Sequence, residues 1–195
     1  NIINDSPIDD RDVGLLALDD GTLLASWFTL DTKNYLPRSN HTTTDAKIVE
    51  ELSFWNDETT ARYLGSFVMK SQDGYSFGER IKVPITAPHG PIQLKDGSLF
   101  YLGRMYPDFH EKRGIVAFKS RDGGLTWYEV GIVDTAPFDV YFCHEPHAVE
   151  LDDGKIIGMI RYQKDCFTII QVESLDGGMT WEQARPTEAK GSPPH

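Results

Sequence analysis

The chain has 195 residues, 39% of them hydrophobic and 25% charged, with a formal net charge of −11, an ordinary globular composition long enough to bury a core. The negative balance argues against a nucleic-acid groove or an anionic membrane as partner; screening beyond about 8 Å still leaves room for a local cation cluster that holds a small anion. No apolar run approaches the roughly 18–20 residues of a membrane helix, and two cysteines, Cys143 and Cys166, are too few for a disulfide scaffold although they could form one bridge.

Taken in chain order, the opening "NIINDSPIDD" has neither the basic region nor the apolar core of a signal peptide, and the compartment is left open. From Val13, "VGLLALDDGTLLASWF" reads as two short apolar strands around a Leu-x-Asp-Gly turn. The same reading recurs in "HGPIQLKDGSLFYLGR" from His89 and "PHAVELDDGKIIGMIRYQ" from Pro146. Asp-Gly between β-rich runs predicts a tight hairpin of type I′. The long connection from Thr29 to Arg62 holds the one helical pattern, "DAKIVEELSFW" from Asp45. After each hairpin a further strand runs into a recurring turn: "SQDGYSF" from Ser71, "SRDGGLTW" from Ser120 and "SLDGGMTW" from Ser174. In such a turn the Asp carboxylate accepts from local amides and the Thr hydroxyl, Gly takes the positive φ, and Trp packs on the sheet. These residues fasten a turn and are poor catalytic candidates.

The unit is four antiparallel strands repeating every 50–75 residues or so, which describes a β-propeller blade; a β-sandwich would not require the same turn at the same place in every copy. The fold expected is therefore all-β. Residues 1–195 form part of one propeller domain, about three blades plus the start of a fourth at "GSPPH", with a continuation expected beyond His195. In this topology the lead-ins to first strands and the ends of second strands meet at one mouth, and the Asp-Gly turns and octapeptides lie at the other face. The mouth then gathers Arg11, Arg104, Arg161, Glu145, His89, His144, His147 and His195. Clustered guanidinium groups suit a carboxylate-bearing ligand through forked hydrogen bonds.

Ser-x-Asp-x-Gly-x-Thr-Trp is the pattern called the Asp box, and the chain resembles an Asp-box propeller of the sialidase superfamily, six-bladed when complete. "EPHAVELDDGKIIGMIR" from Glu145 to Arg161 is similar to that family's stretch of a glutamate, an Asp-Gly hairpin and an arginine. The resemblance implies that Glu145 pairs with a nucleophilic tyrosine and that Arg161 belongs to an arginine triad. His147 stands where the family has Gln. Arg11 stands where the family places its first triad arginine, followed by Asp12 and Val13 rather than the usual Ile-Pro. The family's general acid lies in the connection before the third strand, where Asp57 fits best, with Asp45 and Asp31 as rivals. The tyrosine and the third arginine would belong to later blades.

The implied activity is a retaining exo-α-sialidase acting on sialylated or other acidic glycans. A neutral tyrosine avoids the repulsion that a carboxylate nucleophile would meet from a sugar carboxylate on the anomeric carbon. Catalytic residues would be Glu145 and Asp57, and substrate-binding residues Arg11, Arg104, Arg161 and His147. No cofactor is called for. "HEPH" at His144–His147 is one residue short of the zinc-binding His-Glu-x-x-His, and Pro146 disfavours the helix that motif needs. Two alternatives stay open: a propeller polysaccharide lyase or hydrolase using a mouth histidine on uronic-acid glycans, and a non-catalytic glycan-binding propeller.

Overall fold

The computed structural model describes residues 8–30, 56–105, 114–164 and 167–191. Each Leu-x-Asp-Gly segment turns the chain back on itself. The strands flanking it are β1 (Asp9–Ala17) and β2 (Leu23–Leu30), β5 (Ile92–Gln93) and β6 (Leu99–Met105), and β9 (Cys143–Glu150) and β10 (Ile156–Tyr162). The turns differ from type I′. In each, the leucine and the residue four ahead pair across the loop, as Leu18 N donates to Thr22 O (2.8 Å), and the glycine amide returns to the leucine carbonyl. Only the glycines take positive φ, +84° at Gly21, +81° at Gly97 and +85° at Gly154. The loop holds three residues rather than two, so a type I turn followed by one left-handed glycine closes it. The Asp side chain accepts the amide two residues on, Thr22 N to Asp20 Oδ1 at 2.9 Å and Ser98 N to Asp96 Oδ1 at 2.9 Å.

Strands β3 (Ser66–Ser71) and β4 (Ile81–Val83), β7 (Gly114–Ser120) and β8 (Tyr128–Val133), and β11 (Thr168–Ser174) and β12 (Arg185–Lys190) complete three four-stranded antiparallel sheets, each in sequence order. These are the expected blades. Among the described residues the one α-helix is α1 (Asp57–Tyr63), with Asp57 and Glu58 in its first turn and Arg62 in its last, the charge order a helix dipole favours. The helix expected from Asp45 lies outside the described residues. Gly65 N donates to Thr29 Oγ1 (2.9 Å), which itself donates to Tyr63 O (2.9 Å), tying the end of α1 to the end of β2.

The core lies between blades. Strand β6 is buried along its whole length. Its alternate residues Leu99 and Tyr101 face a cluster with Leu24, Val68 and Val83 of blade 1 and Ile85 of the connection to blade 2. Phe100 and Leu102 face the opposite cluster with Ile156, Ile160, Ile170 and Val172 of blade 3. A strand with period-two side chains and apolar residues at both parities must be sandwiched, and here a neighbouring blade covers each face.

The three octapeptide turns follow β3, β7 and β11. Asp122 Oδ1 accepts from Ser120 Oγ (2.7 Å), Leu125 N (3.0 Å) and Thr126 N (2.9 Å), while Oδ2 accepts from Thr126 Oγ1 (2.6 Å). Asp176 repeats this with Ser174, Met179 and Thr180. In both turns the tryptophan indole donates to the second glycine's carbonyl, Trp127 to Gly124 at 3.0 Å and Trp181 to Gly178 at 3.1 Å. The shorter copy keeps the centre of this arrangement, Asp73 Oδ1 accepting from Ser71 Oγ, Tyr75 N and Ser76 N. Register places all three at the end of the blades away from Glu145: Ser174 pairs with Ile156, whereas Arg161, about 17 Å along β10 at strand rise, pairs with His144.

The box carboxylates are held ionised by these donors. Asp176 is lowered to about 2 chiefly by the Thr180 hydroxyl and amide, and Asp73 to about 2 chiefly by the amides of Ser76 and Tyr75. Asp122 is lowered as well, first by the Thr126 hydroxyl. Folded values below the unfolded value near 4 mean that this stabilisation is complete above about pH 4 and is lost as pH falls toward 2. Thermal unfolding followed from pH 5 to pH 2 should show a falling Tm across that window. Asp176→Asn should lower Tm at pH 6 and make the acid slope shallower; an unchanged slope would show that the carboxylate does not supply it.

Candidate functional site

The lead-in of blade 3 departs from a regular strand at one point. His144 pairs with Arg161 and His147 with Met159, so two residues of β9, Glu145 and Pro146, oppose the single Ile160. Glu145 takes a left-handed conformation, φ +47°, at this bulge. Such a conformation is uncommon for a residue with a side chain and bends the strand. Its carboxylate meets Arg161 of the neighbouring strand, Nη1 to Oε2 at 2.6 Å, with the two side chains 13% and 23% exposed. Half-sequestered but still reached by solvent, the pair can meet a ligand. With its amide oxygen toward the guanidinium, Gln163 accepts from Arg161 Nη2 (2.5 Å) and Nε (3.1 Å). The fork of Arg161 is thus oriented from two sides.

Arg104, at the corresponding end of β6, is used differently. Its side chain is buried and donates to Cys143 O and, at 3.1 Å, to Tyr141 O. Its backbone pairs with Thr86, N to O at 2.8 Å and O to N at 3.0 Å. Arg104 Nη1 also lies 2.8 Å from His144 Nδ1. The structure makes this arginine a clamp from blade 2 onto the lead-in of blade 3.

Burial lowers the His144 pKa to about 4, with the positive charges of Arg104 and Arg161 adding to the effect. Burial likewise pushes the thiol of Cys143 up to about 11, so it stays protonated; Cys143 is free, and Cys166 lies outside the described residues. The ring of His147 stands edge-on to that of His89, centroids 5.3 Å apart. His89 in turn meets blade 1, where a Cβ on Gly14 would come within 2.8 Å of its carbonyl oxygen. Gly14 of blade 1, His89 of the lead-in to blade 2 and His147 of blade 3 thus lie next to one another in turn.

Arg11 Nε binds Asp9 Oδ2 at 2.6 Å. Asp57 sits exposed in the first turn of α1. Asp31, Asp45 and His195 lie outside the described residues. Among the expected site residues the structure thus joins Glu145 to Arg161 directly and brings Arg104 to the adjacent His144. Gln163 escaped the sequence reading, though it stands two residues after Arg161, and alternation puts i and i+2 on one face of a strand.

A family model described as "BNR repeat-like domain" matches residues 46–192. A search of curated proteins finds no match. Among solved structures, a protein of unknown function from Dyadobacter fermentans superposes with a TM-score of 0.68 at 18% identity, over 94% of this chain and 52% of that one. The Fusarium graminearum GH93 α-L-arabinofuranosidase gives 0.59 at 19% identity, over 91% and 48%. The Hadza microbial sialidase Hz136 gives 0.58 at 16%, over 90% and 33%. The chain thus spans about half the length of the first of these relatives, and at these identities the likeness is one of fold.

A histidine whose folded value lies below its unfolded value near 6.5 binds fewer protons folded than unfolded between pH 6.5 and pH 4, so stability falls across that interval as pH drops. Imidazole NMR should show His144 neutral down to pH 5. Arg104→Met, which removes one neighbouring cation, should raise its midpoint. A ring titrating near pH 6.5 in the unaltered protein would contradict the described surroundings.

Proposed function

The chain belongs to the BNR repeat-like domain family, and on that premise we propose that the whole protein is a glycoside hydrolase that removes a terminal acidic sugar from glycans, in the manner of a sialidase. The observation that carries this reading is the ion pair of Glu145 and Arg161 on a left-handed bulge at the mouth. Glu145 would take the proton of a tyrosine nucleophile contributed by a later blade. Arg161, oriented by Glu145 and Gln163, would hold the sugar carboxylate through its planar fork. Arg11 and His147 would line the same site. Asp57, in the connection that returns to β3, would protonate the leaving oxygen. Arg104 would act from behind, by fixing the lead-in that carries Glu145.

A second reading rests on a specific observation. The guanidinium of Arg104 is taken up by backbone carbonyls and that of Arg11 by Asp9, which leaves fewer cations for a sugar carboxylate. This favours a neutral terminal sugar, and a propeller of this shape is known as an α-L-arabinofuranosidase. The lyase and binding-only alternatives have no comparable observation in their favour.

The full-length protein should be assayed on an aryl α-sialoside and an aryl α-L-arabinofuranoside. Turnover of the sialoside supports the first reading, and turnover of the furanoside alone supports the second. On the active substrate, Glu145→Gln should slow the covalent step by about 10²–10⁴, the span of general acid–base catalysis, while an unreactive analogue still binds. On the sialoside, Arg161→Lys keeps charge and loses the fork, so kcat/KM should fall about ten- to two-hundredfold, the worth of a charged hydrogen bond. Wild-type turnover by Glu145→Gln would remove Glu145 from the mechanism.

A further inference from the structure

Blade 1 repeats the bulge of blade 3. Arg11 pairs with Phe28 and Gly14 with Ser26, so Asp12 and Val13 together oppose Trp27. Asp12 is left-handed at φ +52°, as Glu145 is at φ +47°; apart from Phe167 they are the only non-glycine residues with positive φ among the described residues. The coincidence extends to sequence. Asp12 stands eight residues before Asp20 of its hairpin turn, and Glu145 eight residues before Asp153 of its own. The same fold position therefore delivers a carboxylate at the mouth ends of two inner strands.

Their surroundings differ in one respect. Eight residues after each turn aspartate come Phe28 in blade 1 and Arg161 in blade 3. Glu145 faces an arginine, and Asp12 faces an aromatic ring position. The neighbouring Arg11 pairs with Asp9 instead. Asp12 is exposed and makes no ion pair or hydrogen bond among the described residues. A left-handed backbone at a residue with a side chain costs free energy, and among the described residues no ion pair or hydrogen bond of that side chain offsets it.

We infer that Asp12 is a ligand-contacting carboxylate, the blade 1 counterpart of Glu145, which accepts hydrogen bonds from hydroxyl groups of the bound sugar. The inference rests on the reading of the mouth as a glycan site. A carboxylate that makes no ion pair or hydrogen bond among the described residues has its lone pairs open to a ligand, and two vicinal hydroxyls match its two oxygens. A sugar bound this way presents hydroxyls to blade 1 and its anomeric centre to blade 3.

The test compares Asp12→Asn, Asp12→Gly and the turn variant Asp19→Asn in the full-length protein, on whichever of the two aryl glycosides is turned over. Asp12→Asn and Asp12→Gly should each raise KM about ten- to two-hundredfold, with kcat within about threefold, as the loss of charged hydrogen bonds to bound substrate predicts. Asp12→Gly should also hold or raise Tm, because glycine adopts φ near +50° without strain. Asp19→Asn should change neither. With monodeoxy analogues of the substrate, one analogue should lose the same factor on the wild type and no further factor on Asp12→Asn. Unchanged or lowered KM in both Asp12 variants overturns the inference, as does a fall in kcat alone; if Glu145→Gln is impaired in the same assays, the glycosidase reading stands without it. Failure to turn over either aryl glycoside removes that reading and the inference together.

Discussion

The mouth depends on how the Asp122 and Asp176 turns seat against the blade before each of them. The turn must present its glycine to that blade with nothing between. A Cβ on Gly178, whose φ is +95°, would lie 2.5 Å from Cε2 of Phe100 in blade 2, a contact real Cβ atoms do not make. Trp181 then lies beside the same ring, centroids 6.4 Å apart, whereas Trp127 packs beside Tyr101 of its own blade, centroids 5.8 Å apart. The aspartate holds the turn in this shape by accepting its amides, which would otherwise compete for water with the packing. One carboxylate thus sets both the local turn and the offset of one blade from the next. Because the offset repeats, the far ends of the inner strands converge.

What could be read from the sequence follows from how local each interaction is. The box closes within five residues, Ser120 to Gly124 and Asp122 to Thr126, so its pattern survives as contiguous letters. The hairpins were legible for the same reason, although the turn type was not. Asp-Gly is compatible with a loop of two or three residues, and the Leu18 to Thr22 pairing that decides between them is a matter of register. Helix α1 went unread because "DETTARY" has no apolar stripe; a contact with the earlier strand β2, through Thr29 and Tyr63, fixes its end.

The site shows the same limit more sharply. Glu145 and Arg161 are partners within one hairpin, and the sequence placed both. Arg104 stands at the same offset from its turn, eight residues after Asp96, and read identically. Its partners are the carbonyls of Tyr141 and Cys143 in the next blade, which no spacing rule reaches. Nor does composition reveal that His144, between Arg104 and Arg161, is held neutral.

Setting the three blades in register on their turn aspartates shows how one scaffold yields different chemistry. The bulge position holds Asp12, Pro88 and Glu145, and the facing second-strand position holds Phe28, Arg104 and Arg161. Blade 1 has the acid without the base, blade 2 the base without the acid, and blade 3 both. A buried guanidinium needs acceptors for its donors, since leaving one unpaired costs far more than it would for a neutral donor. In blade 2 the inner strand obliges by shifting: Thr86 rather than Ala87 pairs with Arg104, and Ala87–Gly90 forms a turn in place of the bulge. That displacement frees the Arg104 side chain to cross into blade 3, where it grips the strand that carries Glu145. Arg104, whose own inner strand has Pro88 where blade 3 has Glu145, thereby supports the strand on which Glu145 stands. The faces that fasten the blades are copies of one another because packing demands it, and the mouth differs from blade to blade because exchanging a single residue there redirects a charge without disturbing the turn below.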